Sequence, residues 1–136
     1  MASKIIAACD GDVVGKTIGV LGLTFKPNTD DMRDAPSLAI VPALVKAGAI
    51  VRAYDPEGME EAQKNLTDLT YCDGPYSAAH GCDALVILTE WDQFRALDFE
   101  RVAGLMKSPV IVDLRNIYSP RDVRDEGFSY VSIGRG

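Results

Sequence analysis

The chain has 136 residues, 47% of them apolar and 25% charged, with a mean hydropathy of +0.02. This fits one globular domain with a single core and excludes a disordered tail. Fourteen Lys and Arg against twenty Asp and Glu give a net charge of −6 and a pI near 4.7, so nucleic acid is not expected as a partner. The longest apolar stretch, Leu38 to Val45, falls well short of the roughly 18 to 20 residues that span a bilayer. No secretory leader pattern opens the chain. The expectation is a soluble, cytoplasmic protein with no membrane partner.

In chain order, Met1 to Val14 does not fit the pattern that follows, and its KIIAAC segment is expected to be the tail of a helix from an upstream domain. The domain proper is set at 15–136. Lys16 to Gly22 and Ile50 to Tyr54 are short apolar runs closed by turn residues, and both predict strands. Between them Pro36 to Ala47 predicts a helix buried against a sheet and stopped by Gly48. Pro42 lies inside it and removes one backbone donor, so a kink or a late helix start is expected.

The alternation then repeats: a helix over Glu57 to Asn65, a weak strand at Leu69 to Cys72, a short helix at Tyr76 to His80 and a strong strand at Ala84 to Thr89. A helix at Phe99 to Met106, a strand at Val110 to Leu114, a helix at Arg121 to Asp125 and a strand at Ser129 to Ile133 complete the chain. Strands that are apolar without alternation are covered on both faces. The predicted fold is therefore a doubly wound, Rossmann-like α/β domain: a mostly parallel sheet of about six strands with helices on both faces.

Cys9, Cys72 and Cys82 are odd in number and form no C-x-x-C pair, so neither a disulfide framework nor a metal site is expected. Cys82 is expected to be a buried small hydrophobe. The single histidine, His80, is expected to be incidental, because no partner residues support a catalytic role.

In an open α/β sheet, ligands bind outside the carboxyl ends of the strands. The loop leaving the first predicted strand runs from Gly22 to Pro36. It is not G-x-G-x-x-G, and Asp55, where a ribose-binding acid would sit, comes 33 residues after Gly22 instead of about 20. A dinucleotide site built by this domain alone is not expected. The loop does place Lys26 beside Phe25, with Arg33 seven residues on among Asp30, Asp31 and Asp34. That set suits a nucleotide, with ring packing on Phe25, charge from Lys26 and a forked guanidinium for phosphate. It equally suits a solvated loop whose Arg33 pairs with a neighbouring aspartate. Trp91 and Phe94 are open to two readings, a wall near the ligand or the packing of a short helix onto the sheet. Asp113, inside an apolar strand, is expected to hydrogen-bond loop backbone and brace Arg115, with catalysis as the lesser alternative.

The stretch GKTIGVLGLTFKPNTDDMRDAPS, with YDP at Tyr54 to Pro56, LTEW at Leu88 to Trp91 and VDLRN at Val112 to Asn116, closely resembles the C-terminal domain of the UDP-glucose/GDP-mannose dehydrogenase family. The resemblance covers Gly15 to about Gly134. It implies a UDP-sugar-binding domain, one third of an enzyme that oxidises the sugar C6 alcohol, of UDP-glucose in the leading reading, to a carboxylate with two NAD. By that resemblance Phe25, Lys26 and Arg115 contact the UDP-sugar, and Arg33 reaches toward NAD held mainly by the missing N-terminal domain. The family's dinucleotide fingerprint and catalytic cysteine motif are not in this sequence, so the chain alone is expected to bind without catalysing. Its expected partners are the enzyme's own N-terminal and central domains in a homo-oligomeric parent. The alternatives are the equivalent domain of a UDP-N-acetylmannosamine or GDP-mannose enzyme, and an α/β interaction domain that kept the fold and lost the ligand.

Overall fold

A computed structural model describes residues 2–24, 26–33 and 35–132. Six strands form one parallel sheet: β1 (Thr17–Leu21), β2 (Ile50–Tyr54), β3 (Thr70–Tyr71), β4 (Ala84–Ile87), β5 (Val110–Asp113) and β6 (Ser129–Ser132). Their spatial order is β3-β2-β1-β4-β5-β6, and every neighbouring pair is parallel. The sequence winds one way from β1 to β3 and the other way from β4 to β6, which puts the topological switch point between β1 and β4. The final strand ends at Ser132; Ile133, the last residue of the predicted strand, lies outside the described residues.

The lack of alternation in the strands has a direct cause. Ile18 and Val20 of β1, Val51 and Ala53 of β2, and Ala84 and Val86 of β4 enter one apolar core. Leu21, Leu85, Ile87 and Ile111 enter the other. The first core is covered by α1 (Ala2–Ala8) and α2 (Ser37–Lys46), through Ile5, Ile40, Val41 and Leu44. Residues 1–14, which the sequence sets apart from the domain, thus contribute fully buried Ile5 and buried Cys9 and Val13 to this face.

The second core is covered by α4 (Pro75–Ala79), α5 (Asp92–Arg95), α6 (Phe99–Leu105) and α7 (Pro120–Asp125), through Ala78, Phe94, Val102 and Val123. Phe94 is fully buried, as expected of a short helix packed on the sheet. Gly19 lets α4 sit close on β1: a Cβ there would lie 2.8 Å from the Ala78 carbonyl oxygen and 2.9 Å from Leu85 Cδ1.

Pro42 does not delay its helix. α2 starts at Ser37 and continues through Pro42 to Lys46, because burial of Ile40, Val41 and Leu44 on the sheet outweighs the one backbone bond that proline forfeits. The predicted helix at Glu57 to Asn65 shrinks to α3 (Met59–Ala62). The three cysteines are free and buried, and burial pushes the Cys82 thiol up to about 12. His80 is exposed at the end of α4. Among the described residues no helix is long and apolar enough to cross a membrane.

Candidate functional site

The carboxyl edge of the sheet is organised by two buried aspartates. Asp55, just beyond β2, is fully buried. Its Oδ2 accepts the backbone N–H of Leu23 at 2.7 Å, that of Thr24 at 3.1 Å and the indole N–H of Trp91 at 3.3 Å. Its Oδ1 accepts the N–H groups of Glu57 and Gly58 at 2.9 and 2.7 Å. One carboxylate therefore fixes the first two residues of the loop after Gly22, the turn after β2 and the side chain of Trp91. A buried acid with so many donors is stabilised in place and has little capacity left for a ribose hydroxyl.

Gly22 explains why this loop differs from a dinucleotide turn. It holds a left-handed φ of +94°, and a Cβ there would meet the Thr89 Cβ at 2.5 Å. Thr89, just after β4, donates its hydroxyl to the Thr24 carbonyl at 2.7 Å, and Ser37 at the start of α2 donates to the Leu23 carbonyl at 2.6 Å. The exits of β1 and β4 are thus closed against each other where a pyrophosphate would need open backbone N–H groups. The residues present do not fit a dinucleotide at this turn.

Asp113, the last residue of β5, is the second organiser and is also fully buried. It accepts the N–H groups of Arg115, Ile117 and Tyr118 at 3.1, 2.9 and 3.0 Å and the Tyr130 hydroxyl at 2.7 Å. The Tyr118 hydroxyl donates to the Phe94 carbonyl at 2.5 Å, and burial holds its ionisation above the ordinary tyrosine range. The turn that carries Arg115 is therefore braced from below, as its sequence position suggests.

Of the four predicted ligand contacts, Phe25 lies outside the described residues. Lys26 is exposed, and its carbonyl oxygen lies 3.0 Å from the Thr24 hydroxyl. Among the described residues, no ion pair engages Lys26. Arg33 has a side chain 88% exposed and is clamped to Asp31: Nε and Nη2 each donate at 3.0 Å, and its backbone N–H donates to the same carboxylate at 2.9 Å. That pairing holds the Asp31 carboxyl down at about 2. Met32, next in sequence, is buried in the core beside α2 and anchors the far end of the loop.

Arg115 is half-buried and its Nε donates to Glu90, which follows β4. The guanidinium holds the Glu90 carboxyl below the ordinary range. Sequence reading missed Glu90, although LTEW places it on the strand exit next to the one that carries Arg115.

Lys26 and Arg115 thus leave β1 and β5 on the same edge, with the β4 exit between them. Two open hollows flank the loop. One of about 660 Å³ is lined by Asp30, Asp31, Arg33, Leu38 and Glu61 among others. Another of about 710 Å³ is lined by Asn28, Asp30, Glu57, Glu60 and Trp91 among others. Neither includes Lys26 or Arg115, and both carry more carboxylates than cations.

The model of the UDP-glucose/GDP-mannose dehydrogenase family, UDP binding domain, matches residues 19–120. The chain belongs to this family. The match runs from Gly19 within β1 to Pro120 at the start of α7 and includes both braced exits. The chain is 59% identical over 135 residues to the UDP-glucose 6-dehydrogenase of Rhizobium meliloti, covering 99% of this chain and 31% of that protein. It is 44% identical over 127 residues to the UDP-glucose 6-dehydrogenase of Pseudomonas aeruginosa, covering 89% and 28%.

Among solved structures, a UDP-glucose dehydrogenase from Pyrobaculum islandicum superposes with a TM-score of 0.77 at 31% identity, over 98% of this chain and 28% of that one. An NDP-N-acetyl-D-galactosaminuronic acid dehydrogenase from Methanosarcina mazei superposes with a TM-score of 0.84 at 27% identity, over 97% and 28%. The chain spans about a third of the length of the curated relatives it matches.

Proposed function

We propose that this chain is the UDP-sugar-binding domain of an NAD-dependent UDP-glucose 6-dehydrogenase, which oxidises the C6 alcohol of UDP-glucose to the carboxylate of UDP-glucuronate. The observation that carries the reading is the 59% identity to a protein of that name over nearly the whole chain. The braced exits of β1 and β5, with their cations at the ligand edge of the sheet, support it.

Within this reading Lys26 supplies a charge-assisted contact to the nucleotide-sugar, and Arg115, set by Asp113 and Glu90, offers the remainder of its guanidinium fork to the same ligand. Phe25 packs against the ligand. Arg33, at the exposed far end of the loop, faces a domain that closes over this edge carrying NAD. The β1 turn, closed by Thr89 and emptied of donors by Asp55, leaves the cofactor to that other domain. Burial opposes the thiolate in Cys9 and Cys82, and since reactivity follows the thiolate neither is suited to act as a nucleophile.

The test is a comparison of this chain with the full-length enzyme that contains it, each incubated with UDP-glucose and NAD. The full-length enzyme is expected to form NADH and this chain to form none. NADH formation by this chain, or none by the full-length enzyme, overturns the reading.

A further inference from the structure

A cationic hollow of about 330 Å³ lies on the α4/α6 side of the sheet, lined by Arg52, Tyr76, Ser77, His80, Arg101 and Leu105. In a chain of net charge −6, no carboxylate is among its lining residues. Arg52 sits in the middle of β2, in register with Gly19 and Thr70, with its neighbours Val51 and Ala53 buried in the opposite core. Its Nη2 donates to the Ser77 carbonyl at 2.9 Å, whereas its Nε is buried without a hydrogen-bond partner. The guanidinium of Arg101 lies over the Tyr76 ring at 3.9 Å, and the Tyr76 hydroxyl is held by the Asp98 N–H at 3.0 Å.

Among the described residues neither arginine makes an ion pair. Asp98, at the start of α6, accepts the Arg101 N–H, and Asp83, three residues after His80, accepts the Thr17 N–H. Because Asp83 meets the start of β1, the His80 end of the hollow lies toward the amino ends of the strands, and neither Lys26 nor Arg115 is among the residues that line it.

We propose that this hollow is a second anion site, which takes a phosphoryl-bearing ligand between the guanidinium groups of Arg52 and Arg101 with His80 at its rim. Arg101 and Arg52, neither ion-paired among the described residues, bring two positive charges to one hollow, and a multiply charged phosphoryl group uses both. The stacking of Arg101 on Tyr76 orients its donors before the ligand arrives, which reduces the cost of ordering them.

The experiment titrates the ¹⁵N-labelled chain with inorganic pyrophosphate at low salt. Saturating amide shifts are expected at Ser77, His80 and Arg101, with a Kd on the order of 1 mM that weakens as salt is added. Arg101→Gln, at an exposed position, is expected to keep the fold and to weaken binding at least about fivefold, and Lys26→Ala is expected to leave these shifts unchanged. Absence of shifts at α4 and α6, or equal affinity in Arg101→Gln, overturns the proposal. The two sites fail separately, because UDP shifts around Lys26 report on the sheet edge and pyrophosphate shifts around Arg101 report on this hollow.

Discussion

The indole N–H of Trp91 donates to the buried carboxylate of Asp55 at 3.3 Å, joining the exit of β4 to the exit of β2 across the end of β1. The loop that bears Lys26 leaves β1 beside that bridge, so its position depends on one acid that holds the Leu23 and Thr24 N–H groups at its start. Replacement of Asp55 by Asn keeps the size and turns one acceptor oxygen into a donor that faces backbone N–H groups. The expected cost is about 2 to 4 kcal/mol, seen as a fall in Tm of roughly 8 to 15 °C. An unchanged melt would show that the bridge does not support the edge.

Gly22→Ala carries a second expectation about the same edge. The left-handed φ of +94° and the 2.5 Å approach to Thr89 both oppose a methyl group, so a loss of about 3 kcal/mol or more is expected in chemical denaturation. Gly104→Ala, where a Cβ meets nothing within 4 Å, is the matched control and is expected to be neutral or mildly stabilising. Equal stability of the two variants would contradict the close packing of the β1 and β4 exits.

Asp31 and Glu90 are both held below their ordinary carboxyl range by an arginine, Arg33 and Arg115 respectively. For such lowered groups the folded-state preference is present above the unfolded pKa and is lost as pH falls through the folded one. NMR titration of the side-chain carboxyls is expected to place Asp31 at about 2. Arg33→Gln should return it to roughly 3.9, and Arg115→Gln should raise Glu90. A titration of Asp31 near 3.9 in the unaltered chain would mean that the exposed clamp does not persist in solution.

The fold was legible because its strands are apolar on both faces and alternate with helices, a pattern that only a covered parallel sheet accommodates. The six strands and the ligand edge follow from it. Less legible were residues whose role depends on the sheet order. Asp55 stands where a ribose acid would, and only contacts across β1 show that it is committed to Leu23, Thr24 and Trp91. Glu90 and Arg115 are 25 residues apart in sequence and become partners because β4 and β5 are neighbours. Pro42 shows the opposite limit: of the kink or late start that it predicts, the late start does not occur, because α2 begins at Ser37.

Under the proposed function, Lys26→Ala in the full-length protein is expected to lower kcat/KM for the nucleotide-sugar at least tenfold, about 1.4 kcal/mol, chiefly through KM. Arg33→Lys keeps the charge and loses the fork, and is expected to weaken NAD affinity or turnover. Unchanged kinetics in the first would remove Lys26 from the site. Unchanged kinetics in the second would leave the Asp31 clamp as the whole role of Arg33.

The most direct measurement is an NMR titration of this chain with UDP. The β1 and β5 exits are preformed, whereas under the proposed function a further domain closes over the nucleotide, so binding to this chain is expected to be weak, with a Kd on the order of 0.1 to 1 mM. Amide shifts should centre on Lys26 to Arg33 and on the residues around Arg115, should diminish as salt is added, and should need at least about tenfold more UDP in Lys26→Ala. No shifts at several millimolar UDP, or shifts confined to other parts of the fold, would contradict a nucleotide site on this edge.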